Sequence, residues 1–72
     1  MHLKKINSRD LTAIGYDPAA LLLEVKFKVS RRVYGFLNVP RKEYEAFMQS
    51  RSKGQYFNQY IKNHYQFIEI KK

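Results

Sequence analysis

The residues in this sequence best suited to chemistry are cations set beside aromatic rings. Arg31 and Arg32 stand next to Tyr34 and Phe36 in the stretch Ser30-Arg31-Arg32-Val33-Tyr34-Gly35-Phe36. In a strand, Tyr34 and Phe36 point to one face and Val33, Gly35 and Leu37 to the other. Rings on an open sheet face stack single-stranded bases, and a neighbouring Arg binds phosphate or stacks as well. Lys26 and Lys28 on the preceding strand share that face if the register allows. The competing reading puts both rings under the helices, because a small domain needs its rings inside. Phe36, with no polar tip, is the stronger core candidate of the two.

A second group is Ser50-Arg51-Ser52-Lys53-Gly54. A serine, a glycine and two cations at a helix start are the ingredients of a phosphate seat. They are equally those of an ordinary helix cap at a tight corner between helices. The spacing is not that of a P-loop, whose second glycine and preceding strand are missing, so nucleotide hydrolysis has no support. Ser52 and Lys53 here, with Lys62 ten residues after Ser52, complete the candidate nucleic-acid-binding set: Arg31, Arg32, Tyr34, Lys26, Lys28, Ser52, Lys53 and Lys62.

Nothing points to catalysis or to a metal. His64 falls at helical spacing from Tyr60 and reads as a hydrogen-bonded structural histidine, while His2 lies in the N-terminal stretch. No second His, Cys or carboxylate stands at metal-ligand spacing. The carboxylates are Asp10, Asp17, Glu24, Glu43, Glu45 and Glu69. None forms an acid/base pair, and no nucleophile has a base in view. The expectation is no enzyme, no cofactor, no metal and no small-molecule substrate.

Charge is the most lopsided feature: 14 Lys and Arg face six Asp and Glu, for a net charge of +8. Such a single-sign field attracts polyanions, whether nucleic acid, an anionic surface or an acidic protein. The longest aliphatic run, Ala19 to Leu23, is far short of the ~20 residues a spanning helix needs. The N-terminal stretch has basic residues but no apolar run of a secretory signal, so a cytoplasmic location is expected. There is no cysteine to supply a disulfide or a thiolate site. The core must come from aliphatics and from six Tyr and five Phe.

These residues must be positioned by one small domain spanning 1–72, with residues 1–6 a loose tail. Leu21, Leu23, Val25 and Phe27 alternate with Leu22, Glu24, Lys26 and Lys28, the pattern of a half-buried strand. A strand before it is separated by the turn Tyr16-Asp17-Pro18. Val33 to Leu37 is a third strand, joined by a connection over 29–32 that lacks the usual hairpin glycine. Pro40 suits the first position of a helix whose apolar stripe is Tyr44, Phe47 and Met48. Ser52 with Gln55 has capping-box spacing and starts a second helix. Its stripe is Tyr56, Phe57, Tyr60, Ile61 and His64. The terminal Tyr65-Gln66-Phe67-Ile68-Glu69-Ile70-Lys71-Lys72 alternates, and is either an edge strand or a frayed tail. The predicted class is α+β: an antiparallel sheet of three strands, four if the last stretch pairs, then two helices on one face.

In that order the chain shows "AIGYD", "LEVKF", "VYGFLNVP" and "EYEAFMQSRSKGQYFNQYIKNHY". This resembles the KTSC family, the small domain named for the C-terminus of some lysyl-tRNA synthetases, across about Asn7 to Phe67. The Val-Pro step with a Tyr-containing helix, and "SKGQYFNQYIKNHY", carry most of the resemblance. Where the family has Tyr-x-Tyr, this chain has Tyr34-Gly35-Phe36. Where the family has a Ser pair it has Ser8-Arg9, and where the family has a glycine hairpin turn it has Ser30-Arg31-Arg32. The resemblance implies a bacterial or phage domain without an assigned activity, for which attachment to a tRNA-handling enzyme suggests RNA binding. The expected function is therefore a non-enzymatic module that binds RNA or single-stranded nucleic acid. The alternative is a protein-interaction module that docks an acidic partner or pairs at a sheet edge.

Overall fold

The computed structural model describes residues 3–71; His2, noted above, lies outside them. The elements run β1 (Lys4–Lys5), β2 (Leu11–Asp17), β3 (Leu22–Phe27), β4 (Val33–Phe36), α1 (Arg41–Gln49), α2 (Lys53–Tyr56) and β5 (Phe67–Ile70), with a π-helical stretch Phe57–Ile61 continuing α2. The class is α+β as expected, but the sheet has five strands, not three or four. All pairings are antiparallel, in the order β1-β2-β3-β4-β5. The strand outside the expected three or four is β1, while β5 is the C-terminal edge strand that the alternation allowed. The stretch expected to be a loose tail contributes Lys4 and Lys5 opposite Ile14 and Ala13. The alternating C-terminal stretch pairs along the whole of β4.

Register decides which side chains meet. One cross-strand row is Tyr16, Leu23, Phe36 and Phe67; the next is Ile14, Val25, Tyr34 and Glu69. Directly opposed residues in a ladder share a face, and these rows face the helices. Leu11, Ile14, Leu23, Val25 and Phe36 there form one core with Val39, Phe47, Phe57 and Ile61. The opposite face carries the rows Gly15, Glu24, Gly35, Ile68 and Ala13, Lys26, Val33, Ile70. Leu11 and Ile14 both reach the core although three residues apart, because a bulge between Leu11 and Ala13 breaks the period of two. Leu21, expected to face inward, is an exposed turn residue with φ 52°, and β3 begins one residue later.

The turns follow their chemistry. Asp17 Oδ1 accepts hydrogen bonds from the Ala19 and Ala20 N–H groups at 3.0 and 3.3 Å. The β3–β4 hairpin has no glycine, and Arg31 itself takes the left-handed conformation, φ 61°. Phe27 and Arg32 close it, with the Phe27 N–H bonded to Arg32 O at 3.0 Å. Pro40 sits just before α1 rather than inside it. Its carbonyl accepts from the Glu43 and Tyr44 N–H groups, and it has no N–H of its own to leave unsatisfied. Tyr16 clamps this entry: its hydroxyl donates to Val39 O at 2.6 Å, and burial is the main cause that raises its pKa.

The two helices meet as their stripes require. Phe47 is fully buried and Tyr44 and Met48 pack beside it. Ser52 caps α2, its Oγ accepting from the Gln55 N–H at 3.3 Å. Phe57 and Ile61 are buried, but Tyr60 and His64, expected on the same stripe, are exposed. For His64 the π turn accounts for this, since the Lys62 N–H bonds Phe57 O at 2.8 Å and one extra residue is wound in. The residues after Ile61 therefore fall out of phase with the core. His64 Nε2 lies 3.1 Å from Gln59 O on the surface.

Candidate functional site

Segment 7–10 and the start of α2 form a polar cleft of about 710 Å³. Backbone and lysine contacts fix its first wall: the Lys28 N–H donates to Asp10 O at 2.9 Å, and Lys28 Nζ donates to Ser8 O at 2.6 Å. Gly54 lets the walls approach. A Cβ there would stand 3.1 Å from Asp10 Oδ2 and 3.8 Å from Ser8 Oγ. Arg9, Arg51, Ser52, Lys53 and Asn58 also line the cleft. Lys53 Nζ donates to Ser50 O at 2.7 Å. Arg9 and Arg51 are exposed, with no hydrogen bond or ion pair from either side chain among the described residues. An anion entering here meets cations that need not leave another partner.

A second cleft, about 370 Å³, opens between the π-helical stretch and the sheet. Phe27, Tyr34, Phe36, Phe57 and Phe67 line it, with Asn58, Lys62 and Asn63. The rings meet edge to face: Tyr34 lies 5.5 Å from Phe27 and 5.6 Å from Phe67, at 71° and 87°. Phe67 is the exposed member of this cluster, at 55%. Asn58 lines both clefts, so they are adjacent. A shallow hollow formed by Asp10, Phe27, Val29, Ser30 and Tyr34 joins them a second way.

The structure brings together only part of the predicted site. Ser52 and Lys53 line the polar cleft, and Tyr34 and Lys62 the aromatic one. Lys28 holds the wall of the polar cleft through Ser8. Tyr34 is half-buried against the core and Phe36 is a core residue, as the competing reading had it. Lys26 stands opposite Val33, on the sheet face away from Tyr34, so the register separates them. Arg31 and Arg32 are exposed at the hairpin and line neither cleft; Arg32 Nη1 lies 3.6 Å from Glu69 Oε1. Sequence reasoning reached Arg51 only as part of the Ser50-to-Gly54 group, and missed Arg9, Asp10, Asn58 and Phe67 as lining residues. Arg9 and Arg51 are loop cations 42 positions apart, with no periodic signal linking them. Phe67 alternates correctly for a strand, but only pairing with β4 shows which face it takes.

Geometry of this kind defines a small α+β module: a five-stranded antiparallel meander, a helical pair on one face and an open bipartite groove at their junction. The model of the KTSC domain matches residues 7–65, and the chain belongs to the KTSC family. It is similar to the crystal structure of a KTSC domain protein from Yersinia pestis, with a TM-score of 0.93 and 31% identity over 97% of each chain. It is also 36% identical over 66 residues to a protein of Stutzerimonas stutzeri described only as uncharacterized, covering 90% of this chain and 92% of that one. Among the described residues no helix is long and apolar enough to cross a membrane.

Proposed function

We propose that this chain is a non-enzymatic cytoplasmic module that binds RNA or other single-stranded nucleic acid along the two joined clefts. The observation that carries the reading is the shared Asn58, which puts unpaired cations on one side of a groove and an exposed ring on the other. Backbone phosphates would lie with Arg9, Arg51 and Lys53, and a base would stack on Phe67 beside Lys62. Stacking is tolerant of sequence because every base has a π-face. Arg31 and Arg32 add to the positive field that steers a polyanion inward. The non-enzymatic part rests on how the acids are used. Glu43 accepts from two tyrosines, Glu45 and Glu69 pair with arginines, and Asp17 holds a turn, which leaves Asp10 with no second free acid to form an acid/base pair among the described residues.

Fluorescence anisotropy with labelled single-stranded RNA and DNA oligomers tests this. Phe67→Ala should weaken binding by about 1–3 kcal/mol with the salt dependence unchanged. Tyr34→Ala should instead melt earlier, because its ring is part of the packed cluster. No binding at low salt to several unrelated oligomers would overturn the proposal. It would favour a protein partner at the β5 edge, where Phe67 and Ile68 are exposed.

A further inference from the structure

Asp10 is the acid without an assigned task. Asp17, Glu43, Glu45 and Glu69 each hold a partner, and Glu24 is engaged as well. The Asp10 carboxylate alone accepts no hydrogen bond and makes no ion pair among the described residues. Yet it lies in a cleft that also holds Arg9, Arg51 and Lys53. Its place is specified: the Lys28 N–H holds its backbone carbonyl at 2.9 Å, and Gly54 leaves room for Oδ2 where a Cβ would come within 3.1 Å.

A carboxylate in a phosphate cleft is a liability unless the ligand brings a donor. It is acceptor-only and repels phosphate oxygens. A DNA backbone carries no hydrogen-bond donor, whereas each internal RNA residue carries a 2′-hydroxyl. Asp10 also lines the hollow leading to Phe27 and Tyr34, so it stands between the cationic wall and the rings. A sugar joins phosphate to base in the same order. We infer that Asp10 reads the ribose, accepting a hydrogen bond from a 2′-hydroxyl and making the groove select RNA over DNA. This rests on the nucleic-acid reading above and narrows it to one substrate class.

The test compares one sequence in three backbones: single-stranded RNA, its 2′-deoxy form and its 2′-O-methyl form, which keeps the oxygen but loses the donor. Wild type should bind RNA about tenfold or more tightly than either, as expected for one hydrogen bond to a charged group. Asp10→Ala should bring the three affinities together, chiefly by weakening RNA, while DNA binding holds or improves as a negative charge is removed. Asp10→Asn, which keeps a carbonyl acceptor, should retain part of the preference. The side chain is exposed, so thermal melts of these variants should match wild type. Equal wild-type affinity for all three backbones overturns the inference and leaves the nucleic-acid reading standing. So does an Asp10→Ala loss that is the same for RNA and DNA, which would mean contact with a base. No binding to any of the three overturns both.

Discussion

Glu43 and Tyr65 are joined through the Tyr65 hydroxyl, which donates to Oε1 at 2.9 Å, and this bond ties α1 to the segment entering β5. The other carboxylate oxygen accepts from the Tyr56 hydroxyl, so one side chain of α1 also holds α2. Burial first, and the Glu43 carboxylate second, push both phenols up to about 12. This clamp sits away from the two clefts and makes a prediction of its own.

The folded pKa of both phenols lies above the unfolded value of 10.0, so the fold favours the protonated form. The resulting stabilisation is intact below pH 10 and is lost as pH rises through about 12. Unfolding free energy should therefore decline over that window. Glu43→Gln removes the charge but not the burial, so tyrosinate absorbance should titrate partway back toward the ordinary value. The same variant should lose about 1–3 kcal/mol at neutral pH. An unaltered absorbance titration would show that the clamp does not form.

Phe57 belongs to both the core and the aromatic cleft. It meets Phe27 and Phe36 edge-on, each at 5.4 Å, and is buried. Phe57→Ala should cost about 3–5 kcal/mol, which unfolds much of so small a domain. A urea midpoint equal to wild type would contradict the assigned helix face.

Ser52 tests the cap apart from the cleft. Ser52→Ala should lower stability by about 0.5–2 kcal/mol, and Ser52→Gly by only a few tenths. A urea midpoint for Ser52→Ala equal to wild type would show that the bond to the Gln55 N–H contributes nothing to stability.

Arg31 occupies a left-handed backbone position that costs an L-residue about 1–2 kcal/mol. Arg31→Gly should relieve most of that and, after the entropy lost with glycine, raise stability by up to about 1 kcal/mol. A lower thermal midpoint would show that the arginine side chain stabilises the hairpin more than its backbone strains it.

Salt dependence separates the cleft cations from the hairpin cations. About four phosphate contacts on a single strand give a slope of roughly −3 in log affinity against log salt. Replacing Arg9 and Arg51 together with Ala should make it shallower by about 1.4. The double change of Arg31 and Arg32 to Ala should alter it less, since neither lines a cleft. A larger effect from the Arg31 and Arg32 change would place the strand on the hairpin side instead.

Local rules carried much of the architecture. The Asp17 turn, the Ser52 cap, the helix after Pro40 and the buried Phe47, Phe57 and Ile61 follow from spacing and side-chain chemistry within a few residues, and those forces act on the unfolded chain as well. The family was legible too, in the Val-Pro step and the Ser-Lys-Gly-Gln-Tyr-Phe-Asn run. What only the tertiary structure decided are relations between distant segments. Whether Lys26 shares a face with Tyr34 depends on register, and a shift of one residue reverses the answer. The π turn between the buried Phe57 and Ile61, which carries His64 out of phase with the core, breaks the helical period that the sequence pattern assumes. Arg9, Arg51 and Asp10 become one cleft because Gly54 and Lys28 bring segment 7–10 against α2, and pairing across more than 40 positions leaves no periodic trace in the sequence.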